Sequence, residues 1–423
     1  MRKRLGRLLG IVLVVCVVTG FFGSPPVMAG QKVKIEWLQW FRPEMGEQNF
    51  DQFVTMFNKT HPDIEVEAIS VPFSQMLQQI YSNFAVGKLA DVIGMNMPWN
   101  TEFVRIGMME PLDSYLSADK TLDTKQLVQA PMGKYQGHIW MLPATNHCYI
   151  MYYNKDHFKE AGIANPPKTW DEFMQTAKKL TKPEKNQYGY SLFLSLQGSS
   201  GSLRTEVFPL LYTTGGRGVK DDKPNLNSPE LIETLQFLKD LTDAGVITPG
   251  ALSRPEQQKV EEFASGRAAM YMGTMPHINV LRSRNPKLNF GITPISMKRK
   301  LATRNHGWEL IMNSQSKNKQ AAWTFMSWLA SKEINGLFAE KAGQLPANLA
   351  SKADYIAKDP QITEVDKIIR TSELVEETRL IPNQTEADRA ATEELQKVYT
   401  GELKPAQAAQ IMQKKWEEIF MKK

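Results

Sequence analysis

Hydrophobic residues recur along this chain with two different periods, and stretches of the two kinds follow one another. From Val33 to Trp37 every second residue is apolar, which predicts a strand with one buried face. From Phe50 to Phe57 apolar residues recur at helical spacing, and a second alternating stretch runs from Ile64 to Val66. A further helical stretch from Leu77 to Phe84 leads into the apolar stretch ADVIGMN. This repeated alternation of strand and helix predicts the α/β fold class.

The stretch from Tyr149 to Tyr153 is continuously aromatic or aliphatic, with no polar alternation. Such a run is typical of a strand that is covered on both faces, and we predict a central, largely parallel strand. Turn-forming residues follow at once, and we expect Asp156 to cap a short helix that ends at Gly162. The element is therefore a strand, a turn and a helix.

Two helix starts and one polar stretch mark the middle of the chain. Thr169 and Glu172 form the pattern of a capping box in front of an apolar stripe, which predicts the start of a helix. Ser228, followed by proline, predicts a second helix that Gly245 ends. The stretch from Gly198 to Glu206 lies between these helices, and its polar composition predicts a long loop.

The N-terminus has the pattern of a secretory signal peptide. Four basic residues lie at its start, an apolar run extends from Leu8 to Phe22, and small residues lead up to Ala29. We predict cleavage after Ala29, so that residues 1–29 form the signal and the mature protein is periplasmic or otherwise extracytoplasmic. An uncleaved membrane anchor is disfavoured, because the apolar run is shorter than the ~20 residues that a spanning helix needs.

Length, charge and cysteine content limit the possible classes of protein. A chain of 423 residues is long enough for two hydrophobic cores. The formal net charge is +6, but four of these charges lie in the signal, which leaves +2 on the mature chain. This charge is too small to indicate a nucleic-acid or anionic membrane partner. Cys148 is the one cysteine left after cleavage, so an internal disulfide is not possible, and we expect a small buried residue rather than a nucleophile.

The sequence has no motif for catalysis or metal binding. It contains no HExxH, GxSxG, Walker or paired-cysteine pattern, so we expect no enzyme activity, no metal and no cofactor. Neighbouring residues of a helix point in different directions, so adjacent carboxylates cannot flank one glycosidic bond together. We interpret three such pairs as solvated helix faces: Glu261 with Glu262, Glu376 with Glu377, and Glu393 with Glu394.

Several segments occur in the order known from one protein family. These segments read YYNKDHFKEAG, PPKTWDEFMQTAKKL, EEFASGRAAMYMG, NHGWELIMNSQSKNKQAAWTFMSWLAS and AGQLPANLAS. They resemble the sugar-type extracellular solute-binding proteins of ABC importers, the group that includes maltodextrin-binding proteins. The resemblance implies the two-lobed periplasmic-binding-protein fold of type II, with a ligand cleft between the lobes and a hinge near residues 146–149. It also implies a monomer that meets the transmembrane subunits of an ABC permease.

The same resemblance implies where the chain crosses between the lobes. Residues 30–147 with 309–347 would form the first lobe, and residues 148–308 with 348–423 the second. A sugar presents an apolar face and a ring of hydroxyls, so its site needs flat aromatic platforms with a few amide, carboxylate or guanidinium groups. In α/β sheets such groups lie outside the carboxyl ends of the strands. The candidates at predicted strand ends, crossovers and the polar loop are Trp40, Glu44, Asn96, Trp99, Asn146, Arg204, Met275, Trp308 and Glu309.

We therefore predict that the protein captures a mono- or oligosaccharide and delivers it to the permease by lobe closure. Relatives carry an aromatic platform after the MxG strand where this chain has Thr274 and Met275, which argues against a maltodextrin ligand. A binding protein for a non-sugar solute, such as glycerol phosphate or a polyamine, is the alternative. An exported carbohydrate-active enzyme is less favoured, because no pair of converging carboxylates is found by motif.

Overall fold

The computed structural model describes residues 32–95, 97–129, 131–196 and 201–422. The predicted signal peptide lies outside these residues. Among the helices of the described ranges, none is both long and apolar enough to cross a membrane. The strands are β1 Val33–Gln39, β2 Ile64–Ser70, β3 Val92–Met95, β4 Leu142–Pro143, β5 Thr145–Asn154, β6 Val219–Lys220, β7 Lys223–Pro224, β8 Met270–Thr274, β9 Phe290–Thr293, β10 Ala302–His306, β11 Glu309–Met312, β12 Leu345–Pro346 and β13 Glu373–Val375.

The helices surround these strands, and short 3₁₀ turns at Met97–Trp99 and Thr378–Leu380 lie where the two halves of the molecule meet. The α-helices are α1 Phe41–Met45, α2 Glu47–Thr60, α3 Phe73–Ala85, α4 Asn100–Arg105, α5 Asp113–Ala118, α6 Lys155–Glu160, α7 Trp170–Leu180, α8 Phe208–Thr213, α9 Pro229–Asp243, α10 Gln257–Ala264, α11 His277–Arg284, α12 Lys319–Ala330, α13 Lys332–Ala342, α14 Asp354–Lys358, α15 Pro360–Thr371, α16 Gln384–Thr400 and α17 Pro405–Met421.

The first lobe is built on a five-stranded sheet in the order β2-β1-β3-β11-β4. Strand β1 pairs in parallel with β2 and β3, whereas β11 runs antiparallel to β3 and β4. The predicted strand and helix are confirmed here, because Trp37 of β1 and Phe50 and Phe57 of α2 are all buried in one hydrophobic core. That core also contains residues from β11 and α12, so a late segment of the chain completes the first lobe.

The second lobe is built on a six-stranded sheet around β5. The buried strand at Tyr149 to Tyr153 is confirmed, but its predicted parallel direction is wrong. Strand β5 runs antiparallel to β8, β9, β10 and β12, and only β10 and β13 pair in parallel within this sheet. Continuous hydrophobicity reports that both faces of a strand are covered, and it carries no information about the direction of the neighbouring strands. The exact residues at which the chain crosses between the lobes stay a prediction.

The predicted helix starts are confirmed with one correction. The hydroxyl of Thr169 accepts a hydrogen bond from the Glu172 backbone N–H at 3.2 Å, and Ser228 accepts one from Leu231 in the same way. Helix α6, however, is capped by Asn154 and not by Asp156. The Asn154 side chain lies one residue before the helix and accepts from two backbone N–H groups, whereas Asp156 already lies in the first turn.

The predicted polar loop is wrong for the described residues beyond Gly201. Leu203–Val207 forms a π-helix that continues into α8, and Arg204 and Glu206 are both buried. Each of these two charged residues has an oppositely charged partner, Asp388 and Lys259 respectively, from a distant part of the chain. This pairing compensates the loss of hydration that makes a polar segment favour the surface.

The interpretation of the carboxylate pairs as solvated faces is also wrong in part. Glu262, Glu376, Glu377 and Glu394 are buried, and Glu376 and Glu377 do not lie on a helix. Basic groups or backbone N–H groups from other segments contact them; Glu262, for example, pairs with Arg254. Cys148 is fully buried and is a free thiol, as predicted.

Candidate functional site between the lobes

The two lobes touch each other through the start of α4. The Asn100 side chain donates a hydrogen bond to the Arg379 carbonyl at 3.2 Å, and the Thr101 hydroxyl donates one to the Ile381 carbonyl at 2.8 Å. Both acceptors follow β13 of the second lobe. We call the space between the facing surfaces of the lobes the cleft, and we consider it the candidate site because groups from both lobes meet there.

Five aromatic side chains of the first lobe form one cluster beside the cleft. Phe41 stacks on Trp308 with ring centroids 4.2 Å apart and planes within 4°, and Phe73 stacks on Trp99 at 5.6 Å. Trp40 contacts Phe41, Phe73 and Trp99 edge to face. The structure thus brings together the three predicted tryptophans. Trp40 and Trp308 are at most 5% exposed, however, and Trp99 is half-buried, so much of their surface already packs on protein.

A cavity of about 680 Å³, which we call the Trp308 cavity, opens between the lobes. The first lobe contributes Trp308 and the loop after α13, and the second lobe contributes α10 and α11. The polar side chains in its lining are Gln257, Glu261, His277, Asn279, Arg284 and Gln344. An aromatic ring with amides and one carboxylate–guanidinium pair is the set of groups that suits a ligand with many hydroxyls.

Gln344 is held in place by the strand that links the lobes. Its side-chain oxygen accepts hydrogen bonds from the Thr145 hydroxyl at 2.7 Å and from His147 Nδ1 at 2.9 Å. The Thr145 hydroxyl in turn accepts one from the Trp308 backbone N–H at 2.9 Å. Burial lowers the pKa of His147 to about 4, so its imidazole is neutral at physiological pH and adds no positive charge. The amide nitrogen of Gln344 is therefore oriented by a fixed, uncharged network.

Arg204, which sequence analysis assigned to an exposed loop, lies in a buried ion pair. Its Nε contacts both carboxylate oxygens of Asp388, at 2.9 and 2.8 Å. With its side-chain amide oriented so that the oxygen faces the Arg204 guanidinium, Gln384 accepts from that group and donates to the Pro98 carbonyl of the first lobe at 2.9 Å. A Cβ added at Gly201 would overlap the Asp388 carboxylate, so glycine is needed for this close approach. Through Gln384 the pair reaches across to the first lobe.

Two more buried cations near the cleft are paired in the same manner. Lys259 of α10 forms an ion pair with Glu206, and both side chains are completely buried. Arg304 of β10 lies 3.5 Å from Glu376 and donates to the Tyr149 hydroxyl at 3.3 Å. Among the described residues, each of these three buried cations of the second lobe therefore has its own carboxylate.

The remaining predicted ligand residues lie elsewhere or cannot be placed. Asn96 lies outside the described residues, and the side chain of Glu44 is not described. Met275 and Glu309 are fully or almost fully buried, the latter in β11 opposite Met95 and Pro143. Asn146 lines a second cavity of about 550 Å³, which we call the Asn146 cavity. The ligand contacts of all nine residues stay predictions.

The sequence did not indicate Gln344, Gln257 and His277, which line the Trp308 cavity, or Asp388, which pairs with Arg204. Gln344 precedes the short strand β12, and its position just before the LPAN segment was the signal that could have indicated it. Asp388 lies inside an amphipathic helix, where a charged residue is normally read as solvated. No local pattern distinguishes it from the exposed charges of the same helix.

Comparisons with known proteins agree with this geometry. The sequence profile of bacterial extracellular solute-binding proteins matches residues 39–336. A putative binding protein of Brucella abortus is 28% identical, with 84% of this chain and 86% of that protein covered. The mannitol-binding protein of Pseudomonas aeruginosa is 25% identical over 68% of this chain and 67% of that protein.

Two further similarities extend over most of the chain. The sn-glycerol-3-phosphate-binding periplasmic protein of Shigella dysenteriae is 24% identical, with 86% of this chain and 87% of that protein covered. The crystal structure of the cyclic α-maltosyl-1,6-maltose binding protein from Arthrobacter globiformis superposes with a TM-score of 0.80 at 20% identity, over 92% of this chain and 99% of that one. Its likeness shows that the two lobes form the predicted periplasmic-binding-protein fold. The chain belongs to the family of bacterial extracellular solute-binding proteins.

Proposed function

We propose that this protein captures an uncharged carbohydrate or polyol in the cleft and delivers it to the membrane subunits of an ABC importer. The main observation is the composition of the cleft, where an aromatic cluster and several amides accompany buried charges that are already paired. Aromatic faces cover the C–H groups of a sugar, and amides bind its hydroxyls. As in its family, the chain binds its solute and is not expected to transform it.

The charge pairing separates this proposal from the glycerol phosphate alternative. A phosphate group is bound by cationic groups that are free to contact it. In the described part of the cleft the guanidinium of Arg204 is engaged by Asp388, and the ammonium of Lys259 by Glu206. The similarity to a mannitol-binding protein and to the structure of a saccharide-binding protein supports an uncharged ligand. The similarity to a glycerol-phosphate-binding protein supports the alternative.

The experiment is calorimetric titration of the mature chain with pairs of ligands that differ only in a phosphate, such as mannitol and mannitol 1-phosphate. A panel of neutral mono- and oligosaccharides completes the set. We expect saturable binding of at least one neutral member, and a gain in stability of about 2.7 kcal/mol at ~100 times its dissociation constant. Binding of phosphorylated members alone, or of no member, would contradict the proposal.

Lobe closure about the hinge at residues 146–149 is part of the proposed mechanism. Contacts that the ligand makes with both lobes favour the closed form over the open one. X-ray scattering is expected to show a smaller radius of gyration when the ligand identified by calorimetry is added. Superimposable scattering curves with and without ligand would exclude closure. A monomeric chain and an extracytoplasmic location after removal of the signal belong to the same proposal.

A further inference from the structure

The outer face of helix α12 in the first lobe carries no charge. Residues 320–331 read QAAWTFMSWLAS, without a charged residue. The inner face of the helix, with Phe325 and Leu329, packs in the core of the first lobe. Helix α17, by contrast, carries exposed charges such as Lys414 and Glu417. Because the solvated face of a helix is normally charged or strongly polar, the composition of α12 indicates a role other than solubility.

An open cavity of about 810 Å³, which we call the α12 cavity, lies against this outer face. Helix α5 forms another wall with Ser114, Tyr115 and Ala118. Among the described residues, the α12 cavity shares no lining residue with the Trp308 cavity or the Asn146 cavity, so it lies outside the cleft. Its lining residues from α12 and the position after it recur at helical spacing, and they are Gln320, Trp323, Thr324, Ser327, Trp328 and Ser331.

Two tryptophans and a tyrosine give the α12 cavity aromatic surface. Tyr115 stacks on Trp323 with ring centroids 5.6 Å apart, and Trp328 contacts Phe57 edge to face at 5.2 Å. Trp323 is 3% exposed, whereas Tyr115 and Trp328 are half-buried. Trp323 therefore supports the wall, and the other two rings keep part of their surface for a ligand. Rings that are held by packing offer this surface at low entropic cost.

The carboxylate of Asp119 joins α12 to the segment that follows α5. One of its oxygens accepts hydrogen bonds from Trp323 Nε1 at 3.1 Å and from the Ser327 hydroxyl. The other oxygen accepts from the hydroxyl of Thr121 at 2.7 Å and from its backbone N–H at 2.8 Å. Both oxygens are thus engaged within the protein, which argues against a cationic ligand. Lys120 is exposed and lies next to this carboxylate in sequence, so the lining also lacks the cationic cluster that a phosphate needs.

Uncharged hydrogen-bonding groups lie beside the aromatic rings. Gln320 contributes an amide, and Ser114, Thr324 and Ser331 contribute hydroxyls to the lining. Aromatic surface covers the C–H face of a sugar ring, while amides and hydroxyls exchange hydrogen bonds with its hydroxyl groups. The combination therefore favours a neutral ligand with many hydroxyls over an ion.

We propose that the α12 cavity is a second saccharide site, which binds a neutral oligosaccharide or a segment of a neutral polysaccharide outside the cleft. Because the cavity is built from the first lobe alone, its occupancy does not depend on lobe closure, and a chain bound there does not have to fit between the lobes. The site goes beyond the proposed transport function, since it does not require a ligand in the cleft.

The test is affinity electrophoresis of the full mature chain in native gels that contain dextran, glycogen or galactomannan. The variant Thr324→Arg introduces a long charged side chain into the lining, and arginine is a good helix former, so we expect the fold to be kept. Mobility relative to a gel without polysaccharide corrects for the added charge. We expect at least one polysaccharide to retard the wild type, and the apparent affinity of Thr324→Arg for it to be about tenfold weaker or worse.

The matched control is Thr242→Arg in helix α9 of the second lobe. Thr242 and Thr324 are both half-buried, and each hydroxyl donates to the backbone carbonyl four residues earlier at 2.9 Å. The control adds the same charge outside the α12 cavity, and its retardation should equal that of the wild type. Trp328→Ala removes one of the half-buried rings, and we expect ~5–150-fold weaker binding of the polysaccharide. A thermal melt of this variant separates a lost contact from a lost fold.

Three results would overturn the proposal: no retardation of the wild type by any of the three polysaccharides, equal retardation of Thr324→Arg, or an equal loss in the Thr242→Arg control. The first result would point to a protein partner for the outer face of α12. Titration of Thr324→Arg with the neutral ligand of the cleft gives an independent readout, and we expect wild-type affinity there. If no neutral ligand binds in the cleft, the comparison of the two threonine variants still decides whether the α12 cavity binds a saccharide.

Discussion

The Trp308 cavity and the Asn146 cavity both lie between the lobes, but their charges are arranged differently. Next to the Trp308 cavity, Lys259 and Glu206 are completely buried and form a pair. In the Asn146 cavity, Lys125 and Arg370 are exposed, and the basic side chains outnumber the carboxylates. A fully buried charge needs a partner because dehydration is costly, whereas an exposed charge keeps its water and tolerates like neighbours. Depth of burial thus decides which cavity tolerates an excess of basic side chains over carboxylates.

The largest expected effect follows from breaking the buried pair with Lys259→Met. This change leaves the Glu206 carboxylate without its cation, and we expect a loss of ~3–5 kcal/mol in the free energy of unfolding at about pH 8. Burial raises the pKa of Glu206 to about 7 even in the presence of Lys259, and removing the cation raises it further. The loss should therefore shrink as the pH falls and the carboxyl becomes protonated.

Urea denaturation at two pH values measures this effect. The double variant Lys259→Met/Glu206→Gln is the control, and it should be more stable than the single variant at about pH 8, because no buried charge remains. An equal loss for the single variant at about pH 8 and about pH 5.5 would show that the carboxylate is not the cause.

Trp308→Ala is expected to affect both stability and binding. The ring is 5% exposed and stacks on Phe41, so its loss should cost ~3–5 kcal/mol of stability. Because it also lines the cavity, we expect ~5–150-fold weaker binding of the neutral ligand. Trp170→Ala is the control, since Trp170 is 2% exposed and stacks on Phe237 in the core of the second lobe. The Trp170→Ala control should lose stability and keep its affinity for the neutral ligand. If Trp308→Ala binds this ligand with full affinity, Trp308 does not belong to the site.

A smaller, pH-dependent effect on stability is expected at Glu377. This residue follows Glu376, which lines the Asn146 cavity. Burial raises the pKa of Glu377 to about 7, although the backbone N–H groups of Gly218 and Val219 favour the charged form. The folded chain therefore binds a proton between about pH 4.5 and pH 7 that the unfolded chain does not bind, and stability from this group falls as the pH rises through that window.

The variant Glu377→Gln removes this dependence and keeps an oxygen that can accept from Gly218. As the pH rises from about 5 to about 8, the free energy of unfolding of the variant should increase by up to ~3 kcal/mol relative to that of the wild type. Thermal or urea melts of both proteins across the range check the difference. A constant difference at all pH values would mean that Glu377 is not the titrating group.

The smallest effect is expected for Arg370→Gln. Its side chain is exposed and pairs with Asp366 one turn away in α15, so the change in stability should lie within ~0.5 kcal/mol. Because the cavity lining is exposed at this position, the melting temperature should stay close to that of the wild type, and a thermal melt checks this. A large loss of stability would show that Arg370 contributes more to the fold than an exposed ion pair does.

The local elements were predictable because neighbouring residues specify them. The periods at Val33 to Trp37 and Phe50 to Phe57 indicated β1 and α2, and the Thr169 cap indicated the start of α7. The structure brings the three predicted tryptophans into one aromatic cluster, and the burial of Trp40 and Trp308 was not foreseen. A tryptophan at a strand end has the same local pattern whether it packs on Phe41 or faces the solvent.

By itself the sequence determined which segments form strands or helices in most cases, the resemblance to a two-lobed binding protein and the low net charge. The tertiary structure alone decided the antiparallel direction of β5, the burial of the Arg204–Asp388 pair and the two cavities. The residues of that pair are 184 positions apart, and Asn146 and Asn305 are 159 apart. Periodicity extends over a few residues, whereas burial of a charge depends on a partner that only the folded chain brings into contact.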